Sequence, residues 1–258
     1  MHPDLFSIGP LTLHTYGLLI AIGFIVGLVI AIKTGRRHGI DSQQIMDLSF
    51  LLIISGIIGS RIVYILMNIS YYIANPLDMF KLWHGGLVFS GGLLAAIIAC
   101  YLYIRRHKLD ILLIGDIFAP SVAIGQAIGR IGCFMAGCCY GKPTSVTWGV
   151  IFTDPDSIAP LNIPLHPTQL YDAISNFIIF IIIMIVSPWK KFNGQVIIWF
   201  LILHSTARLF IERFRGDDRG IIPLTGWTMT QFIAILILLS AICALFYLRS
   251  RHDKGAGN

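Results

Sequence analysis

Three arginines stand inside long apolar runs: Arg61, Arg130 and Arg208. A guanidinium at mid-bilayer depth costs about 2.5–3.5 kcal/mol unless it finds a partner. Its fork of N–H donors fits two kinds of partner, a carboxylate or the oxygens of a phosphate. Glu212 lies one helical turn beyond Arg208 and Asp172 opens a later apolar run, so both are candidate partners. The acids near this level are fewer than the arginines. A bound anion is therefore the second reading, and within a bilayer the anion at hand is a lipid headgroup.

Other polar side chains enter the apolar runs at their ends. "LHTYG" brings His14 and Tyr16, and "WHGGLVFSGG" brings His84 and Ser90. "HPTQLYD" brings His166, Gln169 and Tyr171, and His204 precedes Arg208 by one turn. A lone histidine is usually a hydrogen-bonded structural residue. Four of them beside three arginines point to a site, with Arg130 in a polar pocket. "GRIGCFMAGCCYG" adds Cys133, Cys138 and Cys139. No second Cys or His pair at zinc-finger spacing accompanies them, so no metal is expected. A bridge between neighbours Cys138 and Cys139 would be strained, which leaves Cys133 with one of them, or plain packing.

The elements that must position these residues are membrane spans. The chain has 258 residues, 56% of them hydrophobic and 12% charged, with mean hydropathy +0.78. A soluble domain carries roughly a quarter charged residues. Apolar runs at about 13–32, 48–67, 86–104, 111–136, 167–187, 195–212 and 227–248 are long enough to cross a bilayer. The expected fold is an all-α polytopic membrane protein of seven transmembrane helices, one integral domain over 1–258. Lys and Arg concentrate in alternate loops (Lys33, Arg36, Arg37; Arg105, Arg106, Lys108; Lys190, Lys191) and in the tail after Tyr247. Positive-inside then places the N-terminus outside and the C-terminus in the cytoplasm. The net charge of +6 is thereby accounted for by cytoplasmic loops rather than by nucleic acid. "RFRGDDRG" breaks this pattern: it should face outward, yet holds Arg213, Arg215 and Arg219. They either gather anionic lipid or pair with Asp217 and Asp218. Two outer insertions are expected, an arm over about 68–86 and a lobe over about 141–166 with a strand or two near Trp148–Phe152.

Spacing sets the depth. Arg61 lies 14 residues from Asp47, Arg130 14 from Asp116, and Arg208 13 from Gln195. At about 1.5 Å per residue, each stands roughly 20 Å above the inner boundary. All three are expected in one layer of the outer half of the bilayer, in a pocket open to the outer leaflet.

The blocks "SIGPLTLHTYGL", "GSRIVYIL", "GGLVFSGG", "GDIFAPSVAIGQAIGRIGCFMAGCCYG", "HPTQLYD" and "ARLFIERFRGDD", in that order, resemble the bacterial phosphatidylglycerol–prolipoprotein diacylglyceryl transferases over nearly the whole chain. The resemblance implies transfer of a diacylglyceryl group from phosphatidylglycerol to the lipobox cysteine of a prolipoprotein. A thioether forms and glycerol 1-phosphate leaves. It implies a multi-pass protein of the bacterial inner membrane and no metal or soluble cofactor. Arg130 falls on the family's lipid-binding arginine, Arg208 on its second important arginine and Tyr16 on the first-span tyrosine. Gly141 closes the signature. Two departures stand out. Ser90 replaces a usual histidine, for which His84 is the substitute candidate, and Cys133 and Cys138 replace an asparagine and a glutamate.

The implied chemistry assigns Arg130, Arg208, Tyr16 and His84 to catalysis, and Arg130, Arg208, Arg61, His14 and Gly141 to phosphatidylglycerol. The attacking group must be a thiolate, and the departing phosphate needs fixed positive charge. His84, His166 and His204 remain open as the base. A transporter for an anionic solute or lipid would share the arginines. It would also need polar residues in both halves of the membrane, whereas "IAIGFIVGLVIAI" and "FIIFIIIMIVS" are apolar. A serine hydrolase using Ser90 would lack the G-x-S-x-G elbow.

Overall fold

In the computed structural model the described residues are 4–8, 11–81, 85–217 and 226–256. His84 and Arg219 therefore lie outside the described residues. Seven helices are long and apolar enough to cross a membrane. They are α1 (Thr15–Arg37), α2 (Ser42–Met67), α4 (Phe89–Arg106), α5 (Ile111–Ala136), α6 (Thr168–Val186), α7 (Gln195–Ile211) and α8 (Met229–Ala256). Large apolar side chains such as Ile25, Ile54, Leu94, Ile174 and Phe246 are exposed on them, which is the surface that lipid covers. A short helix, α3 (Ile69–Ala74), and a 3-10 turn at Pro76–Phe80 follow α2 as an arm. A hairpin of β1 (Asp4–Ile8) and β2 (Leu11–His14) precedes α1 and was not legible as strands. Contacts divide the chain into two compact units, Met1–Ala31 with Gly115–Asn258, and Ile32–Ile114.

In the unit Ile32–Ile114, α2 and α4 pack through glycines. A Cβ on Gly59 would stand 2.7 Å from the Gly91 carbonyl oxygen, and one on Gly92 2.7 Å from that of Gly56. Apolar burial does not drive helices together inside lipid, so close backbone approach of this kind is what holds such a pair. Arg61, on α2, holds the arm. Its Nε donates to the Met79 carbonyl, Nη1 to those of Gly85 and Gly86, and Nη2 to those of Asp78 and Lys81, at 2.7–3.3 Å. Tyr64 and Tyr72 flank the guanidinium at 5.7 and 5.5 Å. Nearby, the Tyr71 hydroxyl donates to Asp78, and that bond raises its pKa above the ordinary phenol value.

In the other unit, Ala119 and Ala123 of α5, Ile179 and Ile183 of α6, and Val196 and Phe200 of α7 form a buried core. Asp116 anchors the inner end of this packing. Its carboxylate accepts from the backbone N–H groups of Gly194, Val196 and Ile197 at 2.9–3.0 Å and from Lys190 Nζ at 3.1 Å. An acid from α5 thus satisfies the orphan donors that open α7. The lobe after α5 carries β3 (Val150–Ile151) paired with β4 (Pro164–Leu165) over a small core of Phe152, Ala159 and Leu165.

Candidate active site

Arg130 comes from the C-terminal part of α5, Asp172 from the first turns of α6, and Arg208 from the last turn of α7. One oxygen of Asp172 collects them. Its Oδ2 lies 3.0 Å from Arg208 Nη1, 3.4 Å from Arg130 Nε and 3.8 Å from Arg215 Nη1. Arg208 Nη2 reaches Glu212 Oε2 at 2.9 Å, the one-turn pairing that spacing suggested. Arg215 pairs with Asp217 through two parallel bonds, Nε to Oδ1 at 2.8 Å and Nη2 to Oδ2 at 2.7 Å. A buried carboxylate among guanidiniums is stable only with such pairing.

The arginines differ in what they leave available. Arg215 and Arg208 side chains are 2% and 8% exposed, Arg130 26%. Arg130 approaches Asp172 most closely through Nε. Among the described residues no hydrogen bond is made by its two terminal nitrogens, which carry four N–H donors. The Tyr16 side chain lies over Gly132, where a Cβ would come within 3.3 Å of the ring, and the tyrosine is partly exposed.

Further polar groups back the site. His204 Nδ1 donates to Asn176 Oδ1 at 3.1 Å, and Asn176 in turn donates to the Asp172 carbonyl at 2.8 Å. This fixes the histidine proton at Nδ1. Trp148 Nε1 donates to the Tyr171 hydroxyl at 2.8 Å, which lies 3.2 Å from His166 Nδ1. Below this chain an apolar groove of about 610 Å³ runs between α6 and α7, lined by Ile174, Ile178, Ala207 and Phe210.

The signature loop is pinned from α6. The fully buried Thr168 donates through Oγ1 to the Cys139 carbonyl, and Gln169 through Nε2 to the Cys138 carbonyl, both at 2.8 Å. Gly141 lies where three segments meet. It bridges Arg215, and a Cβ there would overlap the His166 carbonyl and stand 2.9 Å from that of Phe214. Cys139 is held below the ordinary thiol pKa by hydrogen bonds from Cys133 and Cys138 and by Arg215, against burial. Cys138, hydrogen-bonded to Cys133 and Cys139, is raised.

The model of the family described as prolipoprotein diacylglyceryl transferase matches residues 3–247. The chain belongs to that family. Among its relatives, the phosphatidylglycerol–prolipoprotein diacylglyceryl transferase of Clostridium tetani (strain Massachusetts / E88) is 36% identical over 94% of this chain and 96% of its own. The enzyme of the same name from Oleidesulfovibrio alaskensis is 36% identical over 98% and 96%, and that from Clostridioides difficile (strain 630) 34% over 96% and 96%. This prolipoprotein diacylglyceryl transferase family member is a transferase and a multi-pass protein of the bacterial inner membrane.

Of the residues singled out by sequence, Arg130 and Arg208 come together, with Tyr16 beside the Arg130 helix. His14 lies at the surface, its Nδ1 2.5 Å from Asp4 Oδ1. Ser90 is exposed in the first turn of α4. All five N–H donors of Arg61 are taken by the arm, which leaves none for a phosphate. Two residues gained weight from the structure. Asp172 gathers Arg130 and Arg208, and Arg215 joins them. The signal for Arg215 was its place in a loop that broke the positive-inside pattern.

Proposed function

We propose that this chain transfers the diacylglyceryl group of phosphatidylglycerol to the lipobox cysteine thiol of a prolipoprotein, at the site around Arg130, Arg208 and Asp172. The observation that carries the reading is the open face of Arg130. Its stem is braced by Asp172 and its terminal nitrogens are left to an incoming anion. The lipid phosphate diester is that anion, clamped by two parallel hydrogen bonds.

The sulfur of the substrate thiolate attacks the glycerol carbon bonded to the phosphate ester oxygen. The C–S bond forms, the C–O bond breaks, and its electron pair stays on the departing glycerol 1-phosphate. Charge on phosphate grows along this path, so guanidiniums already fixed in place stabilise the transition state more than the ground state. Arg208 and Arg215, held by Asp172, Glu212 and Asp217, supply the surrounding positive field. Tyr16 orients the headgroup beside Arg130, and His14 lies further out. Arg61 and Gly141 shape the arm and the signature loop rather than touch phosphate. The thiol proton leaves to His84, His166 or bulk water, and the same positive field lowers the substrate thiol's pKa. The pocket faces the outer leaflet, with the N-terminus outside.

The test is reconstitution. Protein in vesicles containing phosphatidylglycerol, supplied with a lipobox peptide, yields a thioether-linked diacylglyceryl peptide and glycerol 1-phosphate. A transporter of anionic solute or lipid gives no adduct, and that result would overturn the reading.

A further inference from the structure

Cys133, Cys138 and Cys139 bring their sulfurs within 4.8 Å of one another, and no disulfide joins them. The convergence is built. After α5 the chain reverses through Gly137 (φ 73°) and Cys139 (φ 62°), both left-handed. For a residue with a side chain that conformation costs about 1–2 kcal/mol, so it persists where the surroundings impose it. Here Thr168 and Gln169 impose it by taking the Cys139 and Cys138 carbonyls, and the three sulfurs meet at a common point. Cys133 is buried, and Cys138 and Cys139 are partly exposed, which leaves a path for an ion.

We propose that these three cysteines bind a thiophilic closed-shell metal ion, Cu(I) or Zn(II), as trigonal thiolate ligands. Soft thiolate sets select these ions over hard cations such as Mg²⁺ or Ca²⁺. A metal–sulfur distance of about 2.3 Å holds three sulfurs roughly 4 Å apart, so the side chains need shift by less than about 1 Å. A disulfide would use two of the sulfurs and strand the third. Binding releases the three thiol protons; Zn(II) offsets two of the three thiolate charges and Cu(I) one. Cys133 is one turn from Arg130, so the ion staples the outer end of α5 to the signature loop. This inference rests on the cysteine geometry and not on the proposed transfer.

The experiment uses the full chain, reduced and in detergent without oxygen. Cu(I) and Zn(II) are each titrated against a chromophoric chelator. One ion per chain is expected, with affinity falling at least a hundredfold in each of Cys133→Ser, Cys138→Ser and Cys139→Ser, and unchanged in Cys100→Ser/Cys243→Ser. In wild-type protein, bound ion should shield these three cysteines from alkylation, counted by mass spectrometry, and raise Tm. This readout does not depend on the variants folding. Absence of binding, binding unaffected by all three substitutions, or alkylation of these cysteines at the same rate with ion present would overturn the proposal.

Discussion

Arg130 Nε stands 3.4 Å from Asp172 Oδ2, so the acid holds the guanidinium at its stem while the side chain stays 26% exposed. A lysine keeps the charge but loses that fork. Arg130→Lys is expected to insert and fold normally and to lose roughly tenfold to a hundredfold in transfer, the equivalent of one charged hydrogen bond. Arg130→Ala is expected to be essentially inactive. Thioether formation with a lipobox peptide measures both, and near-normal transfer by well-folded Arg130→Ala would remove the residue from the site.

Asp172→Asn tests the brace. The amide keeps shape and one acceptor but withdraws the negative charge shared by buried Arg208 and Arg215 and half-buried Arg130, a change of the kind that costs about 3–5 kcal/mol when a buried pair is broken. Tm should fall by several degrees, and transfer by about tenfold or more. Unchanged Tm with unchanged transfer would show that Arg130 and Arg208 hold their places without it.

Arg61→Lys separates structure from catalysis. A lysine has three donors for the five part-buried carbonyls that Arg61 serves, so at least two lose their partner. Limited proteolysis should cut residues 68–81 faster. Activity should fall in proportion to the folded fraction, with KM for phosphatidylglycerol unchanged. A raised KM in fully folded protein would put Arg61 back on the headgroup.

Gly141→Ala adds one methyl group where the His166 and Phe214 carbonyls already touch the backbone. The signature loop and the Arg215 segment must separate to admit it. Transfer is expected to fall more than tenfold while the seven spans still insert, as cysteine labelling of the loops would show. Wild-type rates would mean that the loop can move without consequence.

Ser90→Ala is expected to keep substantial activity, because Ser90 is exposed on the first turn of α4. His84→Ala is expected to lose more. The comparison is made by initial rates at equal folded protein, and loss confined to Ser90→Ala would reverse the assignment.

The spans were readable because twenty apolar residues in a row have few alternatives. The meeting of Arg130 and Arg208 was readable from counting along helices, and Glu212 from its one-turn offset. The occupation of Arg61 was not. Its partners are backbone carbonyls, which every residue has and no sequence displays. The pairing of Arg215 with Asp217 was one of the two readings of its loop, but its burial was not readable, because the contacts to Gly141 and Asp172 are distant in sequence. The gathering of three sulfurs depends on a left-handed Cys139, a conformation with no compositional mark.

Asp116 binds the amide of Val196, so α5 and α7 are fastened side by side at their inner ends. From that joint Arg130 lies 14 residues along one helix and Arg208 12 along the other. The two rods are therefore about 21 and 18 Å long, a mismatch of about 3 Å that one arginine side chain absorbs. The joint works as a shared zero mark, and the helices as rulers. Removing one residue from either ruler would lower its arginine by about 1.5 Å and swing it about 100° around the axis, away from Asp172. Lengthening the loop before Gly194 would leave both marks where they are. Insertions in α5 and α7 are thus permitted or forbidden by whether they fall between the Asp116–Val196 joint and an arginine, far from the chemistry they would disturb.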